Sequence, residues 1–189
     1  AELRVAVGDR DLMLTTLRLH PGEHALVLGP ARSGRTTTLV TMALAAGEAA
    51  VVVGEDLARR SGVPAVAPEM LMAALAGRGP TLVLVDDALA VSDPDGALAR
   101  VAAGSVAGVH LVVAARPDRY RSAYGHWGSE IKGSRLGLLL RPEPLDGDLL
   151  GMPFPARLDL PPLPGRGMLV ADGRAEVVQV VRSDGQSAS

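Results

Sequence analysis

Cysteine is absent from this 189-residue chain, and aromatic side chains are few: Tyr120, Tyr124, Trp127 and Phe154. Without cysteine there is no disulfide framework and no thiolate metal site. With so few rings, the core has to be assembled from Val, Leu, Ala and Met. No apolar run approaches the roughly 18 residues that cross a membrane as a helix, and no secretory leader is visible. The formal net charge of −2 and the pI near 6.1 give no sign of the basic surface that nucleic-acid binding needs. An initiator methionine is missing too. Ala1-Glu2 leads straight into a strand-like pattern, as expected of a domain excised from a longer protein. What is present is 48% hydrophobic and 21% charged residues, a balance that argues against disorder. The length suits one domain with a sizeable core. We expect that domain to occupy residues 1–182, with 183–189 a frayed tail.

Leu3 to Val7 alternates and predicts a strand. Gly8-Asp9-Arg10-Asp11 predicts a turn and Leu12 to Leu19 a second strand, so the chain opens on a β-hairpin. His20-Pro21-Gly22-Glu23 is a second turn, and the apolar run His24 to Leu28 follows it. Thr38 to about Ala46 reads as a helix, with Gly47 suited to its C-terminal cap. Buried strands are predicted over 49–53, 81–85, 109–115 and 136–140. Helical stretches lie between them: 56–60, 68–76 with Pro68 in its first turn, a helix to about Ala103 capped by Ser92-Asp93-Pro94-Asp95, and the polar segment 119–132. Strands apolar on both faces, alternating with helices, predict an α/β fold: a mostly parallel sheet with helices on both faces. Pro153 to Pro164 is proline-rich and irregular. Apolar runs 167–170 and 175–181 then flank Asp172-Gly173, which predicts a C-terminal β-hairpin.

The chemistry concentrates at Gly29-Pro30-Ala31-Arg32-Ser33-Gly34-Arg35-Thr36-Thr37, between the strand ending at Leu28 and the helix at Thr38. Gly29, Gly34 and Thr36 meet the spacing G-x-x-x-x-G-x-[ST] in the strand–loop–helix context of a phosphate-binding loop. In such a loop the glycines let backbone N–H groups curl around phosphates. The helix N-terminus adds partial positive charge, and the Ser/Thr hydroxyl binds Mg²⁺. Where the pattern has lysine, this chain has Arg35. Arginine is cationic and can reach a phosphate, but its planar fork is not equivalent to a compact ammonium at a tight site. Downstream, Thr81 to Val85 delivers Asp86 and Asp87 at a strand's C-terminal end. Asp86 would hold Mg²⁺ through water. Asp87 is the candidate catalytic residue, standing where a glutamate usually polarises the attacking water, and it is one methylene shorter.

The loop Gly29 to Thr37, the strand ending Asp86-Asp87, the strand His110 to Ala115 with Arg116 after it, and the tail Pro164-Gly165-Arg166-Gly167-Met168-Leu169-Val170 with Val178-Gln179-Val180 occur in that order. Together, over nearly the whole chain, they resemble the FtsK/SpoIIIE ATPase family. Within it, they resemble the C-terminal ATPase modules of the EccC-type motors of type VII secretion. The resemblance implies a RecA-like P-loop NTPase fold, ATP and Mg²⁺ as ligands, and nucleotide held between neighbouring ATPase modules. It also implies hexamer-forming relatives, a secreted-substrate signal peptide as a further partner, and a cytoplasmic domain of a membrane-anchored parent. In this family the later modules often carry damaged sites. The chain departs from the active pattern at Arg35, at Asp87, and at Ala114-Ala115, where active relatives carry a polar sensor such as threonine. The expectation is therefore a degenerate ATP-binding module with weak or no hydrolysis. The alternatives are an active module of a DNA translocase, which the acidic pI disfavours, and an interaction module without ligand.

Four further features have plain structural readings. His20 and His24 flank a turn without a carboxylate cluster and read as surface residues. Arg119 and Arg121 could act in trans on a neighbour's nucleotide, but read first as solvated charges. Tyr120, Tyr124 and Trp127 recur at helical spacing and read as packing or as a face for a neighbouring module. Arg166, between two glycines, reads as a turn residue.

Overall fold

The centre of the sheet is Ala25–Leu28 (β3), four residues buried to the last, with Ala25 and Val27 facing one side and Leu26 and Leu28 the other. The computed structural model describes residues 1–9 and 11–181. The expected frayed tail 183–189, the boundary at 182 and Arg10 of the first turn lie outside them. The strands are β1 (Glu2–Gly8), β2 (Leu14–Arg18), β3, β4 (Ala50–Val53), β5 (Thr81–Val85), β6 (Val109–Ala115), β7 (Gly137–Leu140), β8 (Arg166–Ala171) and β9 (Arg174–Val180). They form one sheet in the order β2-β1-β9-β8-β7-β3-β6-β5-β4.

Its two halves have different physics. From β7 to β4 every pairing is parallel. These strands are apolar on both faces because both faces are covered. On one side α1 (Arg35–Ala46) and α2 (Glu55–Ser61) pack Leu39, Met42, Ala43 and Leu57 against Val27, Val52, Leu84 and Val112. On the other, α3 (Leu71–Leu75), α4 (Ala97–Ala102), α5 (Pro117–Arg121) and 3-10 turns at Trp127–Ser134 and Pro144–Leu150 cover Leu26, Val83, Leu111 and Leu139. A fully buried Leu or Val contributes about 1.5–3 kcal/mol over an exposed one, so these two layers dominate the stability.

The predicted hairpins close the antiparallel half. β8 and β9 turn through Asp172 and Gly173, both at positive φ (50° and 68°), the geometry that Asp-Gly supplies in a two-residue hairpin loop. The sequence does not show that the two hairpins meet. β1 pairs with β9, and β8 pairs with β7, so the chain's beginning and end extend the parallel sheet as antiparallel strands.

Three local expectations change. His24 is 2% exposed and belongs to the interior. Its Nδ1 accepts the Leu111 N–H at 3.0 Å, and its backbone N–H donates to Ser134 Oγ at 3.1 Å, because it leads directly into the buried central strand. Arg166 is not in a turn. It opens β8, and its guanidinium donates to the Asp9 carboxylate, tying the two hairpins together. The aromatics do not lie on one helix, and the expected packing role falls to Tyr120 and Trp127. The chain turns at Gly125, leaving Tyr120 and Trp127 buried with Tyr124 87% exposed. Tyr120 donates its hydroxyl to Gly128 O at 2.7 Å and Trp127 its indole N–H to Val91 O at 3.0 Å. The capping expectation at 92–95 holds through one residue: Asp93 accepts the N–H groups of Leu98 and Ala99.

Candidate nucleotide-phosphate site

All the site residues named from sequence gather at the C-terminal edge of the parallel half, where α/β sheets hold their ligands. The loop leaves β3 at Gly29 and delivers the first turn of α1 at Arg35. The tight spacing is physical. A side chain at Gly29 would strike Ser33 Oγ, and Gly34 sits at φ 103° with Gly165 N at 3.0 Å from where a Cβ would lie. The loop encloses a cavity of about 250 Å³. That is below the about 300–1,000 Å³ of pockets that enclose whole ligands. Ser33, 1% exposed, contributes a hydroxyl that lacks a partner within the protein.

Thr36 and Asp86 come from positions fifty apart, yet Thr36 Oγ1 donates to Asp86 Oδ2 at 2.5 Å. The strand order explains the meeting. β6 lies between β3 and β5, so the end of β5 faces the start of α1 across one strand. Among the described residues no group of three or more His, Asp or Glu is placed to hold a metal. A Mg²⁺ on the Thr36–Asp86 pair would complete its shell with phosphate oxygens and water, its usual habit. The orphaned Ser33 hydroxyl, the cradle and this pair of hard oxygen donors fit a Mg²⁺–phosphate group.

The remaining residues behave differently. Arg35 folds back into its own loop: Nη1 donates to Gly29 O, and to Pro30 O at 3.0 Å, and Nε is buried without a partner. Asp87 is exposed and takes φ 44°, with its N–H donating to Asp86 Oδ1 at 2.9 Å. Ala114 and Ala115 end the strand between the loop and Asp86, both fully buried, and Ala115 O accepts the Gly29 N–H at 3.3 Å. Neither has a side chain able to bond a phosphate. Arg32 projects from the loop tip at φ 60°, and Pro30, Ala31 and Thr37 complete the loop. Arg121 is paired with Asp146 at 3.0 Å, the structural reading, whereas Arg119 is exposed. Arg116 clasps Asp118 with two nitrogens and holds that carboxyl below the usual carboxylate range.

Two contributors carried no signal of this role in the sequence. Arg60 reaches across from α2 and donates to Thr37 Oγ1 at 3.2 Å. No motif marks it, since only the packing of α2 on α1 brings it there. Pro164 and Gly165 form the opposite wall, with the Gly165 N–H donating to Ser33 O at 2.7 Å. Their Pro-Gly-Arg-Gly context was conspicuous in sequence, but its contact with the loop was not.

A glycine-bracketed loop entering a helix, an aspartate two strands away and a mixed nine-stranded sheet, its parallel half covered by helices on both faces, make up an α/β fold. No family model matches the sequence, and no curated protein does. Among solved structures, the chain superposes on the cytoplasmic domain of EssC with a TM-score of 0.73 at 18% identity, covering 96% of this chain and 44% of that one. For Thermomonospora curvata EccC (ATPases 2 and 3), solved in complex with a signal sequence peptide, the TM-score is 0.64 at 20% identity, covering 97% and 41%. For the pCW3 conjugation coupling protein TcpA, solved with ATPγS, it is 0.61 at 18% identity, covering 94% and 65%. The chain thus spans less than half the length of the EssC and EccC chains it matches. Among the described residues no helix is long and apolar enough to cross a membrane.

Proposed function

We propose that this chain is a nucleotide-binding module of an FtsK/SpoIIIE-type translocation motor of the type VII secretion kind, one that binds Mg–ATP and turns it over slowly or not at all. The observation that carries the reading is the Thr36–Asp86 hydrogen bond, which joins two oxygen side chains from fifty residues apart beside the loop. The backbone N–H groups of residues 29–37 would hold the phosphates, with Thr36 and Asp86 on Mg²⁺. A bound Mg²⁺ neutralises phosphate charge. The weak half of the reading rests on three neighbours of that pair. Arg35 is engaged by the carbonyls of Gly29 and Pro30, Asp87 is short and exposed, and Ala115 has no polar side chain.

The small cavity supports a nucleotide whose base and ribose lie against a neighbouring module, and the fold likeness to chains with several ATPase domains supports such neighbours. On this reading the module belongs to a longer, membrane-anchored parent that works in the cytoplasm. Its further partners are other copies and a secreted-substrate signal peptide. Calorimetry with Mg–ATP, paired with a phosphate-release assay, tests it. The expected result is Mg²⁺-dependent binding with turnover below about 1 per second, the low end of usual enzymes. Faster turnover overturns the degenerate reading, and no binding at millimolar nucleotide leaves an interaction module without ligand.

A further inference from the structure

We infer that Arg60 of α2, and not Arg35 of the loop, is the side chain that grips the nucleotide phosphates; the inference rests on the nucleotide-binding reading above. The chain's only lysine, Lys132, stands over the rings of Tyr120 and Tyr124, so any cation at the loop must be an arginine. Arg32, Arg35 and Arg60 line the loop cavity, and no carboxylate does. The neighbouring cavity on the far side of Pro30, about 270 Å³, is the contrast. There Arg116, Arg121 and Arg141 are matched by Asp118, Glu143 and Asp146. Of these two cavities the loop cavity is the one whose lining carries three arginines and no carboxylate, with Asp86 behind Thr36 and Asp56 3.9 Å from Arg60, and this excess of positive charge suits an anion.

The three arginines are not equivalent. Arg35 Nη1 is occupied by Gly29 O and Pro30 O. Releasing it would leave two carbonyls and a half-buried guanidinium to find new partners. Arg32 lies on an exposed loop tip, where ordering a long side chain costs entropy. Arg60 is on a helix, and its Nη2 is already held over the first turn of α1 by Thr37 Oγ1 at 3.2 Å. Its acidic neighbour Asp56 stays 3.9 Å away and is engaged more closely by Arg59. A guanidinium so placed retains free N–H donors in the fork geometry that matches phosphate oxygens. The cationic role at this site has thus moved 25 positions along the chain, from the loop to the helix packed beside it.

The test is the affinity of the full chain for a fluorescent ATP analogue with Mg²⁺ at constant ionic strength, with competition by inorganic tripolyphosphate and by adenosine. Arg60→Gln is expected to weaken the analogue and tripolyphosphate together, by about tenfold or more for a lost charge-assisted contact. Its competition by adenosine should not change. Arg60→Lys should recover part of the loss. Arg100→Gln, which removes the same charge at an exposed position of α4 on the other face of the sheet, should bind as the unmodified chain does. If the unmodified chain binds and Arg60→Gln binds equally well, the role of Arg60 is wrong and the nucleotide-binding reading stands. Equal losses in Arg60→Gln and Arg100→Gln also overturn it, since net charge would then explain both. Absence of binding by the unmodified chain overturns both readings.

Discussion

Arg35 shows how much one side chain's direction matters. Its cation is in the right place along the chain for a phosphate, yet it donates to the backbone of its own loop. Placing a lysine at position 35 therefore changes one of the three positions on which the slow-turnover proposal rests. Asp87 remains exposed at φ 44° and Ala115 still offers only its carbonyl. Arg35→Lys is expected to leave turnover below about 1 per second in a phosphate-release assay. A rise past that rate would show that arginine alone disabled the site. Thr36→Ala, by contrast, removes one of the two side chains proposed to hold Mg²⁺. It should abolish the Mg²⁺ dependence of nucleotide binding in calorimetry while leaving the fold intact, since the residue is half-buried and its hydroxyl bonds only Asp86.

At the scale of elements, the loop is held from two sides. α1 continues from it without a break, and the chain's Pro164-Gly165 segment closes it from above through the Gly165 N–H on Ser33 O. Gly34 sits between these constraints. Any side chain there takes φ 103°, outside what L-residues readily adopt, and meets the Gly165 backbone N, which cannot withdraw without breaking its hydrogen bond. Gly34→Ala should cost about 1–3 kcal/mol of stability. At about 2–4 °C of Tm per kcal/mol for a chain of this size, a thermal melt resolves it. An unchanged Tm would mean that the Pro164-Gly165 wall yields easily. The hairpin that carries Gly165 is thereby coupled to the loop. Gln179 in β9 donates to Pro164 O at 3.0 Å, so contacts made on the C-terminal strands reach the phosphate cavity through one turn.

Across the whole molecule, two histidines set a pH dependence. Burial pushes His24 down, and His110 facing it adds to the shift, while nearby carbonyls of α4 oppose it. Burial also lowers His126, with Asp93 acting the other way. A histidine whose folded pKa is depressed is protonated more readily in the unfolded chain. Stability is therefore full above the unfolded value of about 6.5 and declines as pH falls toward the folded values, by at most about 1.4 kcal/mol per pH unit for each group. Urea midpoints should drop between pH 7.5 and 5.5, and His24→Asn, which keeps an acceptor for the Leu111 N–H, should flatten that slope. A slope unchanged in His24→Asn would assign the effect elsewhere.

Most of the parallel half was legible in the chain because its physics is local. Apolar runs such as Leu82 to Val85, glycines at Gly29 and Gly34, the proline at Pro68 and the Asp172-Gly173 turn each state a backbone requirement within a few residues. The loop and the Thr36 and Asp86 positions that meet beside it could be picked out for the same reason: their pattern is written in spacing. What the tertiary structure alone decided depends on contacts between distant segments. The joining of the two hairpins through β1 and β9 and the salt bridge from Arg166 to Asp9 are of this kind. So are the burial of His24 under a covered central strand and the arrival of Arg60 and Pro164 at the loop. A sequence pattern records what each residue can do along its own element. Which side chain lines the loop cavity, and which folds back on its own backbone, is settled only when the elements pack.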